Sequence, residues 1–292
     1  MATKLWLGDD AGNEGDWGVA ANWSPVNVPI NGDDVILQHS SQSVTGTLDQ
    51  SAVTLDSLTI DQTFTGDIGT AAAYLKIGAT VVTIGKAEGE ASTPAGSTML
   101  KLDLHTAATT ATVHNTGQSA ETGRQALRLL MVNAANILSV LKGSVSVAAD
   151  AGEVSTLATL NMSFVEGVES DADVVIGSGV TLATVNKTGG TLALQCAVTT
   201  LTNRAGSFRT SGVGAITTAN MYSGSADLNA TGAVTTLNGY GGAIDTTESL
   251  AARTITTCNV YAGFSLRYDP SIVTVTNKPS PAEPVKLIAE AA

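Results

Sequence analysis

Residues 181–198 read TLATVNKTGGTLALQCAV, residues 199–216 read TTLTNRAGSFRTSGVGAI, and residues 217–234 read TTANMYSGSADLNATGAV. Set one above the other, the blocks end in Val198, Ile216 and Val234, and each of these is followed by Thr-Thr. A fourth block opens at Thr235, and a fifth passes through Thr256 and Thr257 to Gly263. Glycines recur inside the blocks at Gly189, Gly206, Gly224 and Gly242, where a tight turn would sit. A period of roughly 18 residues is too short for a helical pair or a propeller blade. It fits one coil of a solenoid, in which short strands separated by turns stack on the coil before.

The same texture extends upstream. Val53-Thr-Leu55-Asp-Ser-Leu58-Thr-Ile60, Tyr74-Leu-Lys-Ile77 and Val81-Val-Thr-Ile84 alternate apolar and polar residues and lie between glycines, as half-buried strands do. Residues 95–269 hold no proline. Proline removes a ladder donor, and in a solenoid every interior strand is central, so a long proline-free run is expected. The segment from Ala126 to Leu141 is the ambiguous one. Its apolar residues at 127, 130, 134, 138 and 141 have helical spacing, whereas Leu127, Leu129 and Met131 alternate. Strand is the expectation, with turns near Asn133 and Gly143. The chain thus reads as all-β, a single right-handed parallel β-helix (β-solenoid). About 230 residues in coils of about 18–22 make on the order of 11 coils, a rod roughly 50 Å long at ~4.8 Å per strand.

The ends differ from the middle. Residues 1–48 hold all three tryptophans, Trp6, Trp17 and Trp23, with Pro25 and Pro29. An open solenoid end exposes core and unpaired strand groups, and indoles cover much area per residue, so this segment reads as an N-terminal aromatic cap. Residues 49–277 are the solenoid. Residues 278–292 carry Pro279, Pro281 and Pro284 and then the apolar Val285, Leu287 and Ile288, which reads as an extended C-terminal arm able to dock on another surface.

Composition narrows the function. Apolar residues make up 43% of the chain, enough for a core, while charged residues are 14% and aromatics 4%, low for a globular enzyme. The net charge is −12 and Lys and Arg are not clustered, which argues against nucleic-acid binding and against anionic membrane surfaces. No run approaches the ~18 apolar residues of a membrane helix. Met-Ala-Thr-Lys-Leu-Trp has no apolar stretch of a secretory signal, so the expectation is a chain made in the cytoplasm. Cys196 and Cys258 lack metal or redox spacing and read as buried thiols.

Motifs that could carry chemistry are sparse. Asp9, Asp10, Asn13, Glu14 and Asp16 offer oxygen ligands, but their spacing misses the calcium-loop pattern, and a solvated turn is expected. Glu166, Glu169, Asp171 and Asp173 form a second acidic group, and one such loop does not make a glycosidase groove. His39, His105 and His114 lack partners at metal-ligand spacing. No nucleophile elbow, P-loop or dinucleotide fingerprint is present. No catalytic residue, metal or cofactor is therefore assigned. Tyr222 and Tyr240 are one block apart and should stack on adjacent coils, either as a structural ladder or as a surface for a sugar or a protein partner.

Trp17, Ala21-Asn22-Trp23-Ser24, Pro29 and Gly32-Asp33-Asp34-Val35-Ile36, followed by Thr- and Gly-rich coils, resemble the opening of β-helix surface proteins, both autotransporter-like adhesins and phage particle proteins. The chain departs from the adhesins in lacking a signal and in being too short to include a membrane barrel. The resemblance then implies a phage β-helix protein that decorates capsids or forms fibres and usually assembles as a trimer. The expectation is a non-enzymatic virion structural protein, most of all a capsid decoration or cement protein contacting the major capsid protein. Trp6, Trp17, Trp23, Tyr222, Tyr240, Val285, Leu287 and Ile288 are its candidate contact residues. A polysaccharide-binding or -degrading tailspike or adhesin is the alternative.

Overall fold

The computed structural model describes residues 2–85, 97–105, 107–162, 172–248, 251–261, 263–277 and 286–289. It is a parallel β-solenoid. The main sheet has 24 strands, and its parallel part wraps 347° about one axis. Among the described residues the only helical turn is Ala20–Asn22.

Each coil has three straight stretches, two of them joined by a bend within one long strand. In the coil through Ser155–Met162, the first part pairs with Val180–Leu182 and the part after the bend with Thr184–Lys187. The third stretch, Asp173–Ile176, lies between Ser144–Val147 and Thr191–Leu194. Side chains alternate along these strands except at the bend, where Ala158 and Thr159 both lie off the core. Val35, Leu58, Val82, Ala111, Leu138, Leu160, Val185, Leu201, Ala219 and Leu237 form one inward column, all fully buried and each over the next. Removing a Val or Leu of this kind from water stabilises by about 1.5–3 kcal/mol. Leu192, Phe208, Ala226 and Ile244 make a column on the opposite side, where the large Phe208 stands between the smaller Leu192 and Ala226.

The C-terminal blocks have the expected register. Val198 pairs with Ile216 and Ile216 with Val234. The first block does not. Thr184, rather than a residue near 182, lies over Thr200, so that coil (184 to 200) is two residues shorter than the block. The chain between Leu194 and Val198 closes the corner in fewer residues. The turn glycine of this block, in the corner between Lys187 and Thr191, is Gly190, not Gly189, with φ +69°, in line with Gly206, Gly224 and Gly242 at +73°, +80° and +85°. These four stack so closely that a Cβ on Gly206 would lie 2.3 Å from the Gly190 carbonyl oxygen and one on Gly224 2.2 Å from that of Gly206. Both the left-handed φ and the approach of carbonyl to Cα demand glycine.

The ambiguous segment is strand. Leu127–Leu130 pairs with Leu100–Asp103 and Ile137–Val140 with Thr110–Val113. The leucines at 127, 129 and 138 are buried on the inward side, while Asn133 and Gly143 occupy turns. The helical spacing arises from two strands read across a turn. At the N-terminus Thr3–Trp6 pairs parallel with Asp34–Leu37 and antiparallel with Trp23–Ser24, so a strand running the other way covers the first coil. At the C-terminus Lys286–Ala289 pairs parallel with Ser265–Tyr268. Leu287 and Ile288 are therefore on a rung of the chain's own solenoid, not on a free arm. Val285 lies outside the described residues.

Candidate functional site

One outward face of the solenoid stands apart by chemistry. Two neighbouring columns of side chains run along it. The first passes from Ser57 through Val81, Thr110, Ile137, Thr159, Thr184, Thr200, Thr218 and Thr236 to Thr257. The second passes from Thr59 through Thr83, Thr112, Ser139, Asn161, Asn186, Thr202, Asn220 and Asn238 to Asn259, in the same registers. From Ser57 and Thr59 onward neither column contains a charged residue; the rung before Ser57 is Asp34, whose carboxylate accepts from the Ser57 hydroxyl. The corresponding outward column of the other side, from Lys101 through Arg128, Ser146, Val175, Ala193, Arg209, Asp227 and Asp245 to Arg267, is rich in charge.

The second column is an amide ladder. Asn161 Nδ2 donates to Ser139 Oγ at 3.3 Å and Asn186 Nδ2 to Asn161 Oδ1 at 3.1 Å. Asn220 Nδ2 donates to Thr202 Oγ1 at 3.5 Å. Asn238 Nδ2 donates to Asn220 Oδ1, and Asn259 Nδ2 to Asn238 Oδ1, both at 2.8 Å. Parallel pairing puts like residues ~4.8 Å apart, a distance a primary amide spans by tilting toward its neighbour. Sequence reading did not find this ladder. Its signal, Asn in the same place after Thr-Thr in three blocks, is interrupted by Thr202 and by coils of unequal length.

Beside the amides stand the tyrosines. Tyr222 and Tyr240 stack with ring centroids 4.7 Å apart, and Tyr240 and Tyr261 at 4.8 Å. They are 46%, 40% and 51% exposed, and the Arg204 guanidinium lies 5.4 Å over Tyr222. The expected stack is present and gains a third member. Each ring covers its neighbour's face, so the ladder shows edges and hydroxyls to solvent. A sugar stacks on a ring face, and the faces between these rings are taken.

The candidate contact residues at the N-terminus need correction. Trp6, Trp17 and Trp23 are at most 1% exposed and cannot touch a partner. They pack on each other, with centroids 5.0 Å apart for Trp6 and Trp23 and 4.6 Å for Trp17 and Trp23. Trp6 Nε1 donates to the Gln42 carbonyl and Trp23 Nε1 to that of Trp17. The cluster is the end of the core. Large aromatics concentrated at one end signalled a cover, and that cover is turned inward.

Several other titratable groups are held in structural contacts. The Tyr74 hydroxyl donates to Glu153 Oε1 at 2.6 Å, and burial followed by that carboxylate pushes its pKa well up. Lys101 Nζ sits 4.5 Å over the Tyr74 ring and donates to the Ala71 carbonyl. Arg128 pairs with Glu121 and Arg124 with Asp150. These contacts fasten the loops of the longer coils over the charged side. In the N-terminal acidic loop, Glu14 and Asp16 accept from the backbone N–H groups of Gly12 and Gly18. Glu166, Glu169 and Asp171 lie outside the described residues, and Asp173 begins a strand. Among the described residues no group of His, Cys, Asp and Glu is placed to hold a metal ion. Cys196 and Cys258 are free and buried, and burial pushes their thiols up to about 12 and about 11. No helix among the described residues is long and apolar enough to cross a membrane.

Comparison of the chain with protein-family models, with curated proteins and with solved structures returns no match.

Proposed function

We propose that this chain is a non-enzymatic structural protein of a virus particle, a capsid decoration protein that works in many copies by covering the shell. The observation that carries the proposal is the outward face: two uncharged Thr/Asn columns edged by exposed, stacked tyrosines. Such a face offers contact area and hydrogen bonds along the whole rod but no nucleophile, acid–base pair or metal site. Tyrosine at the edge of a contact patch is a common anchor of protein partners. The occupied ring faces weigh against the polysaccharide reading.

The test is co-sedimentation of the purified chain with purified capsids of the virus that encodes it. Binding at a fixed ratio to capsid subunits, reduced by Tyr240→Lys, is expected. No capsid binding, together with retardation in gels containing a host polysaccharide, would replace this reading with the carbohydrate one.

A further inference from the structure

We infer that the Thr/Asn face is where copies of this chain meet, packed face against face with their coils in step. This rests on the reading above that the outward face is a binding surface, and divides it: the Thr/Asn columns meet a second copy, and the exposed tyrosine edge beside them is left to the shell. Three observations choose a second copy as the occupant.

The first is charge. Each copy carries −12, and like charges brought together repel, so a contact between copies must exclude carboxylates. The two columns do so from Ser57 to Thr257 and from Thr59 to Asn259, with Asp34 standing only at the N-terminal end of the first. The other side, with Arg209, Asp227, Asp245 and Arg267 in one column, does not.

The second is the cost of drying the face. The amides of Asn186, Asn220, Asn238 and Asn259 already bond along the ladder, so covering them strands few polar groups. Threonine adds a methyl beside each hydroxyl.

The third is the repeat. A surface that presents one chemical unit every ~4.8 Å fits best a partner of the same period, and another coil of this chain has it. The face runs roughly 43 Å, ten rungs ~4.8 Å apart, so a partner of the same period can meet it rung for rung.

The experiment is the mass of the full chain by light scattering over a wide concentration range. The expected result is a defined multiple of 29.5 kDa. Thr200→Lys with Thr236→Lys should return it to 29.5 kDa, while Ser207→Lys with Ser225→Lys, the same charge change on the other side, should leave the assembly intact. As a variant that adds no charge, Thr218→Cys should form an interchain disulfide on mild oxidation and Ser225→Cys should not. A wild-type chain of 29.5 kDa at every concentration, or a Thr200→Lys/Thr236→Lys chain that assembles like wild type, overturns the inference. The isolated chain involves no capsid. A monomer that still sediments with capsids gives the face to the shell protein and removes only the contact between copies.

Discussion

Inside the solenoid, Lys187 and Asn203 stand on neighbouring rungs of a column that also holds Val140, Met162 and Met221. Both are fully buried. Lys187 Nζ donates to the Ala205 carbonyl at 2.6 Å, and burial holds its pKa down at about 8, against an ordinary 10.5. Below pH 8 both the folded and the unfolded chain carry the proton, and the fold bears the cost of a buried ammonium. Between about 8 and 10.5 the folded chain has lost the proton and the unfolded chain still holds it, so stability rises with pH. The gain is at most about 3 kcal/mol. Lys187→Met should stabilise the protein at pH 7 and flatten that rise, measured as denaturant midpoints of both proteins at pH 7 and pH 10. At the glycine corner, Gly224→Ala should cost at least ~1–2 kcal/mol for the left-handed φ, plus the clash with the Gly206 carbonyl, read as a fall in thermal midpoint. The glycines at 206, 224 and 242 were legible because only glycine serves such a turn. Lys187 was not, since alternation places a lysine inside a core only when its coil register is known, and this is the coil that runs two residues short.

Among the elements, the amide ladder and the last rung make separate demands. Asn238 both donates to Asn220 and accepts from Asn259, so Asn238→Ala removes two hydrogen bonds at once. A loss of about 1–3 kcal/mol is expected in chemical denaturation, with the fold retained because the inward Leu237 column is untouched. Deleting residues 278–292 removes Lys286–Ala289 from the edge of Ser265–Tyr268. The thermal midpoint should fall, because that edge loses its paired strand. The mass of the assembly should stay, because the contact proposed between copies lies on the Thr/Asn face. A loss of assembly without a fall in midpoint would return the contact to the C-terminal segment. Strands, their inward residues and the Thr-Thr register could be read from the repeat. The fate of the C-terminal apolar run could not, because three prolines describe how a segment leaves the last coil, not where it lands.

For the whole molecule, a charge of −12 and a pI near 4.5 oppose assembly at neutral pH. Salt should therefore promote it. The Debye length shrinks from about 30 Å at 0.01 M to about 3 Å at 1 M, which screens the remainder of each surface while leaving the uncharged contact alone. Sedimentation velocity across that range should show the assembled fraction growing with salt, and dissociation at high salt would point to ion pairs in the interface instead. The coils also differ in length without disturbing the columns. One takes 16 residues, from Thr184 to Thr200, and another takes 29, from Val81 to Thr110, yet both advance every column by a single rung. The molecule is thus a ruler graduated in rungs. Duplicating residues 200–217 would insert one more graduation, lengthen the rod by ~4.8 Å and extend the Thr/Asn face by one more pair, leaving both ends as they were.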